Sequence, residues 1–425
     1  MSQAAFQDQA TPLRTQCPCD QENCSGEVVV VETECTKEIF VRCAPLLDAA
    51  PALDFEGQVR RFYGCLPRLL AQGDGQMAHV VWERAFFEDF AQDMASFRRI
   101  QKEVYNAAGV ADEDMPATSY LQQPPCRPAQ KIEHQVYAIV PKKLESFSVE
   151  TFHDEPTDTM AKRITIDGRR HLYITDINGV SGDPDNPGSF REQSDRMFAN
   201  SDRLLREHGT QFTEVLRTWC YLKDIDRDYA EFNLSRNTFF EKEGVKRLPA
   251  STGIQATLWP LEALVGMDLY ALLDTEGVGI EVMHTPTLNE AYEYGSSFSR
   301  GMKIDLPDKV VLHISGTASV DEKGDTVHIG DPYKQIVRML VNVRELLAAQ
   351  GASFEDVTQI ATFLKHAEYL DTYESILEEW GIRHVPNTLV ETGVCRPELL
   401  CELEAIAILP KDPITGKLVA AQAPE

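Results

Sequence analysis

No stretch of about 18 or more apolar residues occurs in the sequence, so a membrane-spanning helix is not expected. The first residues, Met1 to Thr11, also lack the basic-then-apolar layout of a secretory leader, and the cytoplasm is the expected compartment. Basic residues are scarce: 41 Lys and Arg face 67 Asp and Glu, a net charge of -26. A field of that sign repels phosphate backbones and argues against a nucleic-acid partner. A small anionic substrate would need arginines or lysines placed locally. Cysteine offers no metal framework either. Only Cys17, Cys19 and Cys24 cluster, and no Cys/His pair follows them at zinc-ligand spacing. No metal and no organic cofactor is expected. The cluster reads as reduced thiols in a polar tail over residues 1–26, and most other cysteines as small apolar fillers.

What is present is a repeat. Pro116-Ala117-Thr118, Cys126-Arg127-Pro128 and Ile132-Glu133 are followed by Tyr137-Ala138-Ile139-Val140-Pro141. Pro386-Asn387-Thr388 begins a matching run, and at one constant offset from the first copy come Cys395-Arg396-Pro397, Cys401-Glu402 and Ile406-Ala407-Ile408-Leu409-Pro410. A middle copy reads Pro249-Ala250-Ser251-Thr252, Trp259-Pro260 and Leu269-Tyr270-Ala271-Leu272, with Gly266 where the others have Glu. Upstream, Ile336, Met339, Leu340, Val343, Leu346 and Leu347 share one helical face. Val59, Phe62, Tyr63, Leu66, Leu69 and Leu70 repeat it; Met197, Phe198, Leu204 and Leu205 do so less completely. The outer copies shift by eight residues between this helix and the Cys/Glu motif, so a later loop or helix should differ in length by that amount. The turns Gly209-x-x-Phe212-x-x-Val215 and Gly351-x-x-Phe354-x-x-Val357 each lead into a strand. Every copy thus predicts strand, strand, helix, strand, helix, strand, strand: an α/β (α+β) module, a mixed sheet with two helices on one face. The expected modules span 27–145, 146–285 and 286–412, with a tail over 413–425.

The run Gly351 to Val357, with Thr362-Phe363-Leu364, Ser315-Gly316-Thr317-Ala318 and Glu402 to Ala407, resembles the RidA/YjgF family. Members are homotrimers with a ligand cleft at each subunit interface. Three tandem copies therefore imply that this chain closes the same ring alone, as a pseudotrimeric monomer with further association open. A narrower resemblance is to the chorismatases. It rests on Tyr294-Gly295-Ser296-Ser297-Phe298-Ser299-Arg300, Val327-His328-Ile329-Gly330-Asp331, Cys395 to Leu400, Arg217-Thr218-Trp219, Asn233, Arg236 and Thr252-Gly253-Ile254. That likeness implies cleavage of chorismate, or a related enol-ether acid, with release of pyruvate. The alternatives are a RidA-type deaminase acting on an enamine or imine, and a non-catalytic small-ligand binder of the same fold.

Glu402 has apolar neighbours, which disfavour its charged form and suit it to general-acid work. A solvated edge-strand carboxylate is the plainer account of Glu402 alone; its repetition as Glu133 and the family likeness favour the acid. Cys395 is a candidate nucleophile or product-shaping group, and Arg396 a partner for a substrate carboxylate. Phe298, Ser299 and Arg300 match the family segment that faces ligand. Gly316, with Thr317, suits close backbone approach. Trp219 and Tyr221 alternate on a strand and either line the cleft or pack the core. The deaminases carry a carboxylate-binding Arg where this chain has Asn387, Thr118 and Ala250 or Ser251, so Arg217, Arg236 or Arg300 would have to substitute. Glu133, Cys126 and Arg127 form a candidate second site.

Overall fold

A computed structural model describes residues 13–16, 24–45, 53–183, 185–289, 297–382 and 385–419. Cys17 and Cys19 of the N-terminal cluster, and Tyr294, Gly295 and Ser296, lie outside them. The first sheet uses β1 (Leu13–Gln16), β2 (Cys24–Glu32), β3 (Thr36–Pro45), β4 (Val80–Phe87), β5 (Ala117–Gln122) and β6 (Ile132–Pro141), with helices α1 (Phe55–Leu70) and α2 (Phe90–Ala107). The second uses β7 (Phe147–Asp154), β8 (Thr159–Ile166), β9 (Arg169–Asn178), β10 (Val215–Leu222), β11 (Ala250–Gln255) and β13 (Val265–Leu272), with α3 (Phe190–Glu207) and α4 (Ile225–Glu243). Short β12 (Thr257–Leu258) leaves that module to pair with β5 of the first. The third uses β14 (Gly279–Val282), β15 (Gly301–Asp305), β16 (Lys309–Ala318), β17 (Val357–Leu364), β18 (Asn387–Glu391) and β19 (Cys401–Pro410), with α5 (Pro332–Ala348) and α6 (Leu370–Glu379).

The three modules have the expected order and the α+β architecture, but each gains an outer strand. β14 belongs to the third sheet, so that module begins upstream of residue 286, and β1 lies within the stretch expected to be tail. Each added strand covers a sheet edge whose unpaired N–H and C=O groups would otherwise face outward. The eight-residue difference falls in the second helix: α2 has 18 residues and α6 has 10.

Local chemistry sets the helix ends. Asp54 and Asp331 cap α1 and α5 through their side chains, with Pro332 in the first turn of α5, and Ser189 and Glu192 form a capping box on α3. Gly209 and Gly351, at φ 75° and 73°, turn the chain out of α3 and α5 in the left-handed region. The repeated helix faces are buried as their spacing requires, each against its own sheet. A fourth core unites the modules: Phe40, Trp82, Tyr137, Trp219, Tyr270, Phe363 and Ile408 meet where the three sheets face one another. β4, β10 and β17 are therefore buried along their whole length, and polar residues on them such as Glu83, Arg84 and Arg217 are buried with hydrogen-bond partners. The enclosed space at this centre is about 30 Å³, room for about one water and no metabolite.

Candidate active site

Glu402 is the second residue of β19, which runs between β16 and β17; it is neither outside the strand nor on an edge. It is 3% exposed. Two residues along, opposite Glu404, β16 shifts register between Ile314 and Thr317, spending Ser315 and Gly316 on an irregularity. Gly316 leaves the room that the Glu402 carboxyl occupies: a Cβ on it would stand 2.0 Å from Glu402 Oε1. Gly316→Ala is accordingly expected to displace the Glu402 carboxyl and cut turnover at least tenfold while the chain still folds, checked by steady-state rates beside a thermal melt.

β11 of the second module lies against β16 and closes the site from the other side. The Ser251 N–H donates to Ser315 Oγ at 2.9 Å, and the Gly316 N–H donates to Thr252 Oγ1 at 3.0 Å. Ser315 Oγ donates in turn to Ser299 O at 2.6 Å. Between the two modules opens a cavity of about 340 Å³, within the range of about 300–1,000 Å³ usual for small-molecule sites. Glu402, Cys395 and Gly316 form one wall; Arg236, Arg300 and Arg396 supply the cations. Phe298 is also in the wall, with Arg236 and Arg300 over its ring at 5.7 Å.

Burial pushes the Glu402 carboxyl up, and the neighbouring Glu404 charge adds to this, to about 8 against the opposing pull of Arg217 and Arg300. The Cys395 thiol lies 3.9 Å from Glu402 Oε2, and burial followed by the Glu402 charge pushes it up to about 12. Near neutral pH the pair is a protonated acid beside a neutral thiol. Glu404, two residues along β19, is the opposite case. Burial pushes it up, but Arg84 and Arg217 outweigh that and hold it below the ordinary carboxylate range.

Seven of the residues singled out in the sequence line this cavity: Glu402, Cys395, Arg396, Arg236, Phe298, Arg300 and Gly316. Others do not. Arg217 stands behind the wall, bonded to Glu404 and Thr252. Thr317 turns its hydroxyl onto Ser315 O, and Ser299 bridges the module seam through its backbone. Trp219 and Tyr221 point into the central core, because both faces of β10 are covered. Sequence reasoning did not single out Tyr229 in the wall, nor Glu404 and Arg84 behind it; Ser251 was read only as the place where the deaminases carry an Arg, and Leu399 only as part of a motif. Asn233 and Gly253 were read only as parts of a motif.

The candidate second site is built differently. Arg42 of β3 meets Glu133 at 2.5 Å, both fully buried. Arg127 pairs with Glu374 of the third module at 2.7 Å, and Cys126 is buried with its N–H donated to Leu389 O. A cavity of about 580 Å³ between the first and third modules is lined by Glu27, Arg42, Arg127, Glu374 and Asn387. Its homologous glutamate is thus already engaged by a cation.

Comparison with known proteins agrees with this architecture. The family described as endoribonuclease L-PSP matches residues 172–273 and 293–409, together just over half of the chain. The chain belongs to that family, the RidA/YjgF superfamily. Among relatives of this L-PSP chain, the 3-hydroxybenzoate synthase of Streptomyces hygroscopicus is 24% identical over 280 residues, 59% of this chain and 80% of that protein. The 3-aminoacrylate deaminase RutC of Acinetobacter baylyi is 29% identical over 98 residues, 23% of this chain and 78% of its own length. A chorismatase crystal structure superposes with a TM-score of 0.57 at 17% identity, covering 88% of this chain and 99% of that one, which shows the shared fold. The chain is a chorismatase-like member of the RidA superfamily. No helix among the described residues is long and apolar enough to cross a membrane.

Proposed function

We propose that the cleft between the second and third modules cleaves chorismate, or a closely related enol-ether acid, and releases pyruvate. The observation that carries this reading is the buried Glu402 carboxyl, pushed up to about 8 and facing a cavity lined by Arg236, Arg300 and Arg396. Glu402 delivers its proton to the enol-ether methylene carbon. The bond between the ring and the ether oxygen then breaks, and pyruvate leaves with that oxygen. The ring aromatises by losing a proton, which restores the acid. Hydroxybenzoate plus pyruvate sums to chorismate, so no water is consumed. The arginines hold the two substrate carboxylates, and Cys395, a neutral thiol at 3.9 Å from Glu402 Oε2, shapes which ring product forms.

The deaminase reading is weaker on one particular residue. Where the deaminases carry a carboxylate-binding Arg, the wall of this cleft has Ser251. The relatives named above, a 3-hydroxybenzoate synthase and a chorismatase fold, support the enol-ether reading.

The test is incubation of the purified chain with chorismate and mass spectrometry of the products. Pyruvate with a hydroxybenzoate is expected, or with a dihydrodiol if water captures the ring. The rate should be flat below the Glu402 value and fall about tenfold per pH unit above about 8, because the acid is then deprotonated. No turnover of chorismate would sink the reading and direct attention to 2-aminoacrylate-type enamines.

A further inference from the structure

β19 places Glu402 and Glu404 on the same face of the sheet, about 6.6 Å apart along the strand. The homologous positions hold Glu133 and Gln135 on β6, and Gly266 and Asp268 on β13. Of the three copies, only β19 therefore carries a carboxylate at both. We infer that Glu404, clamped by Arg84 of the first module and Arg217 of the second, is a positioning residue for Glu402: it fixes the charge that the acid faces and ties the site to a module that does not line it.

The clamp is made of direct bonds. Arg84 Nη1 donates to Glu404 Oε1 at 2.6 Å, Arg217 Nη2 donates to Oε2 at 2.7 Å, and Trp219 Nε1 donates to Oε1 at 3.1 Å. Arg84 is held in turn by Gln135 Oε1 at 3.2 Å and the Tyr221 hydroxyl at 3.4 Å. Arg217 Nη2 also donates to Thr252 Oγ1 at 2.6 Å, and Thr252 Oγ1 accepts the Gly316 N–H that forms the wall beside Glu402. All three ionic side chains are nearly or fully buried, so their fields act with little screening by water.

The other groups facing Glu402 are Arg236 and Tyr229 from α4, Arg300, Cys395 and Arg396 from loops of the third module, and Cys401 beside it in β19. Among these described residues Glu404 is the one anion against several guanidinium groups. Without it, Arg217 would lose its carboxylate partner and Arg84 would keep only Asp268 as a neighbouring anion, and the surplus positive charge behind Glu402 would draw off its proton. With it, both are neutralised in part, and Glu402 keeps the proton it delivers. The separation of two neighbouring carboxyls into one acid and one anion is a recurring device for assigning roles within a site.

This inference rests on Glu402 being the acid of the proposed reaction, yet its test is independent of turnover. The Glu402 carboxyl can be followed by carbon NMR in the full chain carrying carboxyl-labelled glutamate, with Glu402→Gln identifying the resonance. Glu404→Gln is expected to move its titration down by at least one pH unit, since two cations lose their anion. Arg84→Gln is expected to move it up, since one cation is removed and the anion remains. Shifts of opposite sign support the inference, and general disruption of the core would not produce them. An unmoved titration in Glu404→Gln, or shifts of the same sign in both variants, overturns it. If Glu404→Gln does not fold, the direction in Arg84→Gln decides alone: upward supports, downward or none overturns. Normal chorismate turnover by Glu402→Gln would instead remove the enol-ether reading and leave the titration result standing.

Discussion

Glu402→Gln is expected to lower chorismate turnover by about 10²–10⁴-fold, the range for removing a positioned general acid, and to make the protein more stable at alkaline pH. The two effects share one cause. In the folded chain the carboxyl loses its proton only near pH 8, whereas in the unfolded chain it does so near its ordinary value of about 4.3. Between those values the folded state holds the extra proton, so stability falls as pH rises across that window. The stability owed to this group is fully present below about pH 4.3 and is lost as pH passes through about 8. Glutamine has no proton to lose there. The stability gap between variant and wild type should therefore widen with pH, by up to about 1.4 kcal/mol per unit inside the window, and level off above it. Urea denaturation at pH 5, 7 and 9, run beside product analysis, checks both. A variant within tenfold of wild-type turnover would remove Glu402 from the chemistry; a stability gap that ignores pH would mean the carboxyl is not held protonated.

Much of this site could be read from the sequence because it is carried by local patterns. The helix faces, the turns at Gly209 and Gly351 and the outer repeats of the Cys/Glu motif all follow from the spacing of residues close in the chain. Gly316 was legible for the same reason: a glycine at a strand irregularity marks a place where something approaches the backbone. Glu404 was not legible. In the sequence it is one more glutamate in an apolar strand, and what sets it apart is Arg84, 320 positions away, arriving across the centre of the ring. For Trp219 and Tyr221 the sequence left the cleft and the core both open. Alternation on a strand suggests one face toward a cleft, but β10 has sheet partners on both edges and covered faces on both sides, so both rings go to the core. The boundary at residue 286 failed because β14 is short and weakly patterned; its place in the third sheet follows from pairing with β15. The second site differs from the first by one residue. β3 pairs with β6 in unbroken register, so Arg42 stands opposite Gln135, where β16 spends Ser315 and Gly316 opposite Glu404. The extra residue clears space beside Glu402, and its absence puts a guanidinium beside Glu133.

Arg42→Met is expected to destabilise the chain by about 3–5 kcal/mol without harming turnover in the molecules that remain folded. Glu133 is 0% exposed, and among the described residues its other side-chain hydrogen bond is from Gln130 Nε2 at 3.3 Å. Removing the cation leaves a buried carboxyl that must either stay charged in an apolar surrounding or take up a proton; either course costs stability. Pairing the change with Glu133→Leu removes the stranded group as well, and most of the loss should return, because a buried ion pair replaced by apolar groups of similar volume is often close to neutral. Denaturation midpoints for the two single variants and the double variant close the cycle, and chorismate rates at a temperature where all three are folded supply the second readout. A single-variant loss under about 1 kcal/mol would show that Arg42 does not carry the pair, and loss of turnover in the folded double variant would mean that the two clefts are coupled. The expected result divides the labour between two homologous glutamates. Glu133, engaged by Arg42, ties β3 to β6 within the first module. Glu402, with no ion pair to a cation among the described residues, costs the fold stability above neutral pH and keeps the proton that the reaction uses.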